Sequence, residues 1–268
     1  MTGIAAPTTL DGFLPEAGVA LRAVELGLAV ARGRVGADEL RLKGGRDLVT
    51  ATDISVERAV RSVLTEAIDL PVVGEELGGA AEAGRPHWLV DPICGTRNYA
   101  SGIPLFAVNV ALVDGGAVVL GAVGDGSTGE LLLAERGRGA FSIGAGRRRR
   151  LVVSEESRTV TIEGWPPAGA ARSRAARAVA AAIAADRWDV RSLGTSLSLA
   201  YLAAGRLAGC VLFAAPALHV AAGILLAAEA GATISDGAGL PWTPESDSLV
   251  AAAGGELHQE LLDTASLR

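Results

Sequence analysis

Residues 88–96 read Trp-Leu-Val-Asp-Pro-Ile-Cys-Gly-Thr. Trp88-Leu89-Val90 is a short apolar run of the type that forms a buried strand, and it ends at Asp91-Pro92, where proline cannot donate to a sheet ladder. The strand therefore delivers a carboxylate to its own end. Gly95-Thr96 follows at once and can open a helix. The first N–H groups of a helix have no partner inside it, and they hold a phosphate readily.

Two further acidic clusters flank this stretch. One is Asp47-Leu48-Val49-Thr50-Ala51-Thr52-Asp53, and the other is Gly74-Glu75-Glu76. Pro71–Gly74 reads as a buried strand ending at the glutamate pair. Asp53 opens a helix in which Val56, Val60, Val63, Leu64, Ala67 and Ile68 recur at helical spacing, with Glu57, Arg61 and Glu66 on the other side. Carboxylates gathered at strand ends suit Mg²⁺, a hard ion that prefers oxygen and keeps several waters. Taken singly, Asp47 and Asp53 also suit a turn and an N-cap, and Glu75 and Glu76 suit a solvated loop.

Further out, Leu21–Val30 is an Ala/Leu/Val helix, and Val108–Gly124 alternates around Asp114-Gly115-Gly116, a hairpin signal. Glu130–Ala134 and Leu151–Val153 extend a β meander. Beyond Trp165-Pro166-Pro167 the pattern becomes β/α. Arg172–Ala185 is a helix, Val190–Leu193 a strand, Leu197–Ala204 a helix and Val211–Ala214 a strand. His219–Ala230 is a helix closed by Gly231, and Ala232–Ser235 is a strand. The expected organisation is an α+β half over residues 1–155, carrying the metal-binding motifs, and an α/β half over 156–268. The two are fused in one unit, with a soft boundary near 154–164. The run Arg147–Arg150 is read as the solvated flank of a hairpin in preference to a phosphate or nucleic-acid contact.

Composition bounds the function. Of 268 residues, 50% are hydrophobic and 20% charged, which excludes a disordered chain and a module that needs disulfide or metal staples. With only 4% aromatics and 35 glycines, the core must be built from Ala, Val and Leu between tight turns. A net charge of −6 is not that of a polyanion binder. Cys94 and Cys210 lie too far apart in sequence to suggest a disulfide framework. Met1–Leu14 has no Lys or Arg and does not read as a secretory signal, and the apolar runs break well short of a membrane span. The expectation is a cytoplasmic protein with a small-molecule substrate and without nucleic-acid or membrane partners.

In order and spacing these motifs are far more specific than any one of them. The sequence resembles the inositol monophosphatase family of Mg²⁺-dependent phosphomonoesterases through Asp47–Asp53, Val73–Glu76, Trp88–Thr96 and Val220–Ala232. Lys43, Gly137–Phe141 and Arg191–Thr195 match as well, and the similarity runs collinearly from about Lys43 to about Leu262. The resemblance implies a layered αβαβα sandwich, usually a homodimer. It implies that Glu75, Asp91 and the Ile93 carbonyl hold a first Mg²⁺. It implies that Asp53 and Thr96 orient and help deprotonate the attacking water, and that the N–H groups of Gly95 and Thr96 hold the phosphate. Gly194-Thr195-Ser196 matches a substrate-side loop of the family.

The chain also departs from the family pattern. The family has aspartate where this chain has Cys94, and Trp-Asp where it has Leu218-His219. Those aspartates, with Asp91, hold a second Mg²⁺ in the family. A glutamate that contacts sugar-ring hydroxyls there is Leu212 here. The resemblance thus implies one Mg²⁺ site and a substrate other than plain inositol phosphate.

Three readings of the Cys94/His219 pair stay open. The site has decayed, with Cys94 a core residue and His219 a helix cap. Alternatively, Asp91, Cys94 and His219 form an O, S, N donor set for Zn²⁺ or Fe²⁺. In the third reading no metal is needed there: Cys94 is a nucleophile with His219 as base, its thiol pKa lowered at a helix N-terminus. Three functions correspond to these readings: metal-assisted hydrolysis of a small phosphorylated metabolite, acyl or related group transfer, or a silent binding or regulatory role. Other residues carry less. Cys210 and the four tryptophans (Trp88, Trp165, Trp188, Trp242) read as packing residues, and His87 and His258 as lone surface histidines.

Overall fold

The computed structural model describes residues 10–37, 41–44, 47–144, 146–164, 169–213 and 216–265; of 41–44, 47–49, 170, 171 and 265 it describes the backbone alone. The chain order begins α1 (Pro15–Arg32), β1 (Arg41–Gly44), β2 (Asp47–Val49), α2 (Ala51–Ala67), β3 (Val72–Gly74), β4 (His87–Cys94) and α3 (Thr96–Ala100). The meander follows as β5 (Ala107–Asp114), β6 (Ala117–Asp125), β7 (Leu131–Glu135), β8 (Gly139–Gly144) and β9 (Arg147–Arg150). The second half holds β10 (Thr159–Glu163), α4 (Ala170–Ala184), β11 (Asp189–Arg191), α5 (Leu197–Ala203), β12 (Gly209–Leu212) and α6 (Ala217–Glu229). It closes with β13 (Thr233–Ser235), β14 (Leu249–Ala252) and α7 (Gly255–Ala265).

Strands β3 to β9 form one seven-stranded sheet in sequence order, antiparallel except for the parallel β3–β4 pair. A five-stranded sheet has the order β11-β10-β12-β14-β13, with β10 parallel to both neighbours. Helices α1 and α2 cover one face of the first sheet, α5 and α6 lie between the sheets, and α4 and α7 cover the far face of the second. This is the expected αβαβα sandwich. Each gap between layers has its own apolar cluster. Val24, Leu28 and Val60 meet Val108 and Val110 in the first gap, and Leu197, Ala221 and Leu225 meet Val123 and Leu132 in the second. Leu199 and Val220 meet Cys210 and Leu249 in the third, and Ala175 and Leu261 meet Val160 and Val250 in the fourth. Small side chains let these layers approach closely. A Cβ on Gly121 of β6 would lie 2.8 Å from the Ala222 carbonyl oxygen of α6.

Several expectations need correction. Leu151–Val153 is not a strand; the meander instead continues through β8 and β9, so the arginine run is itself an edge strand with all four residues exposed. A row of charges on an edge discourages further pairing. Arg148 lies over the rings of Phe13 and Phe141, and Arg149 faces Glu130 at 3.5 Å, in keeping with a solvated flank. Strand β4 continues through Pro92 to Cys94, with an irregularity in its pairing to β5 between Asp91 and Cys94. His258 is buried, its Nε2 2.9 Å from Ser235 Oγ, and His87 is half-buried. Trp88 is in the core, Trp188 packs beneath Arg187, Trp242 is half-buried, and Trp165 lies outside the described residues. Gly137 and Gly139 donate N–H groups to the Glu229 carboxylate at 2.7 Å each, which ties the β7–β8 turn to the end of α6. Among the described residues no helix is long and apolar enough to cross a membrane.

Candidate functional site

Six chain segments meet at one cleft of about 340 Å³. They are the end of β4 with α3, the turn after β3, the Gly194–Ser196 segment before α5, the ends of β10 and β12, and the start of α6. Gly95 makes the junction of β4 and α3 possible. Its φ of 114° is left-handed, and a Cβ there would sit 3.0 Å from the Leu105 carbonyl oxygen.

Beside the cleft, Thr50 rather than Asp53 is the N-cap of α2, and Asp53 completes a capping box three residues on. Asp53 Oδ2 accepts hydrogen bonds from Thr50 N at 2.9 Å and Thr50 Oγ1 at 2.5 Å. Its other oxygen, Oδ1, lies 3.3 Å from Thr96 Oγ1, which is also 3.1 Å from the Ile93 carbonyl oxygen. Burial raises the Asp53 pKa above the ordinary carboxylate value, and the bonds from Thr50 offset only part of that rise. Of Lys43 and Asp47 the backbone alone is described.

Asp91 is fully buried. Its Oδ2 meets His219 Nδ1 at 2.7 Å, and among the described residues its Oδ1 has no hydrogen-bond partner. An orphaned, buried carboxylate oxygen is costly unless a cation or water takes it. Glu75 Oε2 stands 3.8 Å from the same His219 nitrogen. Glu75, Asp91 and the Ile93 carbonyl thus offer oxygen alone, a set that fits Mg²⁺.

Cys94 is half-buried, and its sulfur accepts a hydrogen bond from Ser196 N at 3.2 Å. Donor atoms of Asp91, Cys94 and His219 all lie within 4.8 Å of one another. The electrostatics overturn one expectation. Burial first, and the Asp91 carboxylate second, push the Cys94 thiol up rather than down. Helix α3 has only five residues, and Gly95, not Cys94, is its N-cap, so the helix end is a weak counterweight. Burial alone would lower the His219 pKa, but the Asp91 carboxylate and its hydrogen bond raise it well above the usual histidine value. A protonated imidazole held by Asp91 is a poor general base for the thiol.

The Gly194–Ser196 segment is tied to the end of β4. Thr195 Oγ1 donates to the Cys94 carbonyl at 2.6 Å, and Asn98 Nδ2 donates to the Leu193 carbonyl at 2.7 Å. Three residues at the site carry a role that the sequence does not announce. Asn98 is one. Glu163 is another, a buried carboxylate lining the cleft that accepts from Leu193 N at 2.7 Å, Gly194 N at 3.0 Å and Ser192 Oγ at 3.1 Å. Burial raises its pKa, and these bonds offset part of the rise. Its sequence signal was an acid at the end of an apolar strand, the same pattern that singled out Asp91.

The third is Glu57. Helical periodicity put it on the polar side of α2, yet it is fully buried and holds the turn after β3. Its carboxylate accepts from Glu76 N at 2.6 Å, Leu77 N at 3.1 Å and Arg61 Nε at 2.8 Å.

Comparison with known proteins gives one consistent result. The profile of the inositol monophosphatase family matches residues 16–267. The chain is 34% identical over 235 residues to the inositol-1-monophosphatase ImpA of Mycolicibacterium smegmatis, covering 85% of this chain and 83% of that protein. It is 34% identical over 268 residues to the histidinol-phosphatase of Mycobacterium tuberculosis, covering 94% and 96%. Among solved structures, the extragenic suppressor protein suhB from Bartonella henselae superposes with a TM-score of 0.83 at 29% identity, over 92% of this chain and 97% of that one.

Proposed function

The chain belongs to the inositol monophosphatase family, and from that premise we propose that it hydrolyses the phosphomonoester of a small metabolite with the help of a divalent metal. The observation that carries the reading is Asp91 Oδ1, buried and, among the described residues, without a hydrogen-bond partner, while Glu75, Ile93 and the His219 that Asp91 holds line the cleft. Glu75, Asp91 and the Ile93 carbonyl would hold Mg²⁺, which when bound supplies a water of lowered pKa and neutralises phosphoryl charge.

The remaining work falls to the chain itself. Thr96 Oγ1 can pass its proton to Asp53 Oδ1 while accepting one from a water on its other side, which orients that water for in-line attack. Thr50 holds Asp53 by its Oδ2, so Oδ1 stays turned to Thr96. The N–H groups of Gly95, the N-cap of α3, and Thr96, its first residue, would hold the phosphate oxygens. Gly194, Thr195 and Ser196 also line the cleft, and Glu163 holds the backbone of Leu193 and Gly194 at the start of that segment. Leu212 presents an apolar surface to the leaving alcohol, which favours a substrate with fewer hydroxyl groups than inositol.

The test is phosphate release across a panel of phosphate esters. Release is expected to require added Mg²⁺ and to fall by at least about 100-fold in Glu75→Gln, whose amide is a weak Mg²⁺ ligand. Release that survives exhaustive chelation would overturn the reading.

A further inference from the structure

The geometry assigns Asp91, Cys94 and His219 to a site for a late first-row divalent ion of the Zn²⁺ or Fe²⁺ class, in place of a second Mg²⁺. This inference rests on the phosphatase reading only for its functional meaning; the ion site itself stands on the side chains.

Three observations converge. The carboxylate, thiol and imidazole bring donor atoms within 4.8 Å of one another, although they come from the end of β4 and the first turn of α6. One of the three, Asp91, is fully buried and keeps an oxygen without a hydrogen-bond partner among the described residues. Cys94 and His219 both line the cleft, so an ion there is open to solvent and substrate.

Donor chemistry selects the ion. Mg²⁺ demands hard oxygen ligands and discriminates against sulfur and nitrogen. Zn²⁺ and Fe²⁺ accept thiolate and imidazole alongside a carboxylate, and three protein ligands leave one tetrahedral position for water or substrate. The Ser196 N–H, 3.2 Å from Cys94 Sγ, adds a hydrogen bond that stabilises a coordinated thiolate. Glu75, Asp91 and Ile93 keep an all-oxygen set next to it. The cleft therefore offers two cation positions of unlike chemistry that share Asp91.

The test uses the full-length protein stripped with chelator and titrated with Co²⁺, which reports thiolate ligation by a near-ultraviolet charge-transfer band. One equivalent of Co²⁺ is expected to produce the band. Zn²⁺ should bleach it stoichiometrically, and a thousandfold excess of Mg²⁺ should not. Cys94→Ser is nearly isosteric; it should remove the band and weaken Zn²⁺ binding by at least about 100-fold. His219→Gln should weaken Zn²⁺ binding to a similar extent. Cys210→Ala, altered only in the core, should keep the band. Circular dichroism identifies any variant that has lost its fold.

The double variant Cys94→Asp/His219→Asp is expected to lose Zn²⁺ preference and to bind a second Mg²⁺ equivalent. No cobalt band in the folded parent, a band that persists in Cys94→Ser, or Mg²⁺ competing as well as Zn²⁺ would each overturn the assignment. The band is read without any phosphate ester, so its absence would leave the hydrolase reading standing. Equally, metal-independent phosphate release would sink that reading without touching the band.

Discussion

At the scale of single residues, Cys94 shows how position in sequence misleads about reactivity. Standing before Gly95-Thr96 and beside an imidazole, it reads as a thiol primed to ionise. The folded chain buries it next to the Asp91 carboxylate, and both effects favour the neutral thiol over the protonated His219 that opposes them. In chelator-treated protein, iodoacetamide at neutral pH should therefore modify Cys94 slowly. The rate should climb only as pH passes above the ordinary thiol value of about 8.5. His219→Ala, which leaves the Ser196 N–H as the neighbour favouring thiolate, should slow labelling further. Peptide mapping over time checks this, and rapid labelling at pH 7 would refute it. Cys210 is fully buried and should stay unmodified while the protein is folded.

At the scale of elements, buried carboxylates act as fasteners for the turns that carry the site. Glu57 on α2 holds the backbone of Glu76 and Leu77, and Arg61 reaches from α2 to the carbonyls of Val72 and Gly78. Glu57→Gln keeps the size but replaces one acceptor oxygen with a donor facing an N–H group. The turn should loosen, and the Mg²⁺ concentration for half-maximal activity should rise by about 10-fold to 100-fold, with kcat recovering at saturating ion. An unchanged Mg²⁺ titration would show that Glu57 matters for folding alone.

Asp125 fastens the β6–β7 turn, accepting from Ser127 N at 2.8 Å, Ser127 Oγ at 2.7 Å and Tyr201 OH at 2.9 Å. Burial alone would raise its pKa, but these bonds outweigh burial and lower it. A depressed folded pKa contributes stability above the unfolded value of about 3.9, and that contribution is lost as pH falls through the folded pKa. Asp125→Asn should cost roughly 1–3 kcal/mol at pH 7 by urea unfolding, with the gap from the parent closing in strong acid. A gap that does not depend on pH would show that the charge of Asp125 is not what counts.

At the scale of the whole molecule, the site depends on how closely the layers stack. Helix α6 lies between the two sheets and brings His219 to Asp91 across 128 residues of sequence. Gly121 sets the spacing of α6 from the first sheet, because any Cβ there would press on the Ala222 backbone. Gly121→Ala should destabilise the fold by about 1–3 kcal/mol, as overpacking does. It should also weaken cobalt binding at His219, although neither residue touches the other. A melting temperature and a Co²⁺ titration equal to those of the parent would disprove this coupling.

Much of this protein is determined by the sequence alone. Alternating and helical periodicity place most of its strands and helices, because each element must turn an apolar face to a neighbouring layer. The acidic clusters at Asp53, Glu75 and Asp91 and the collinear family motifs point to the sandwich and the metal chemistry. Tertiary structure alone decides which charges are buried and which donors meet. Glu57 and His258 look like surface residues in the sequence, and Glu163 shows only as an acid at the end of an apolar strand. A carboxylate can leave water only when donors arrive from elsewhere in the chain: Leu193 and Gly194 for Glu163, Glu76 and Leu77 for Glu57. Leu151–Val153 is apolar enough for a strand, yet pairing needs a free neighbouring edge, and β9 takes the edge of β8. The union of Asp91, Cys94 and His219 is likewise a property of the packed layers, since periodicity reports which face a residue occupies and not what stands opposite it.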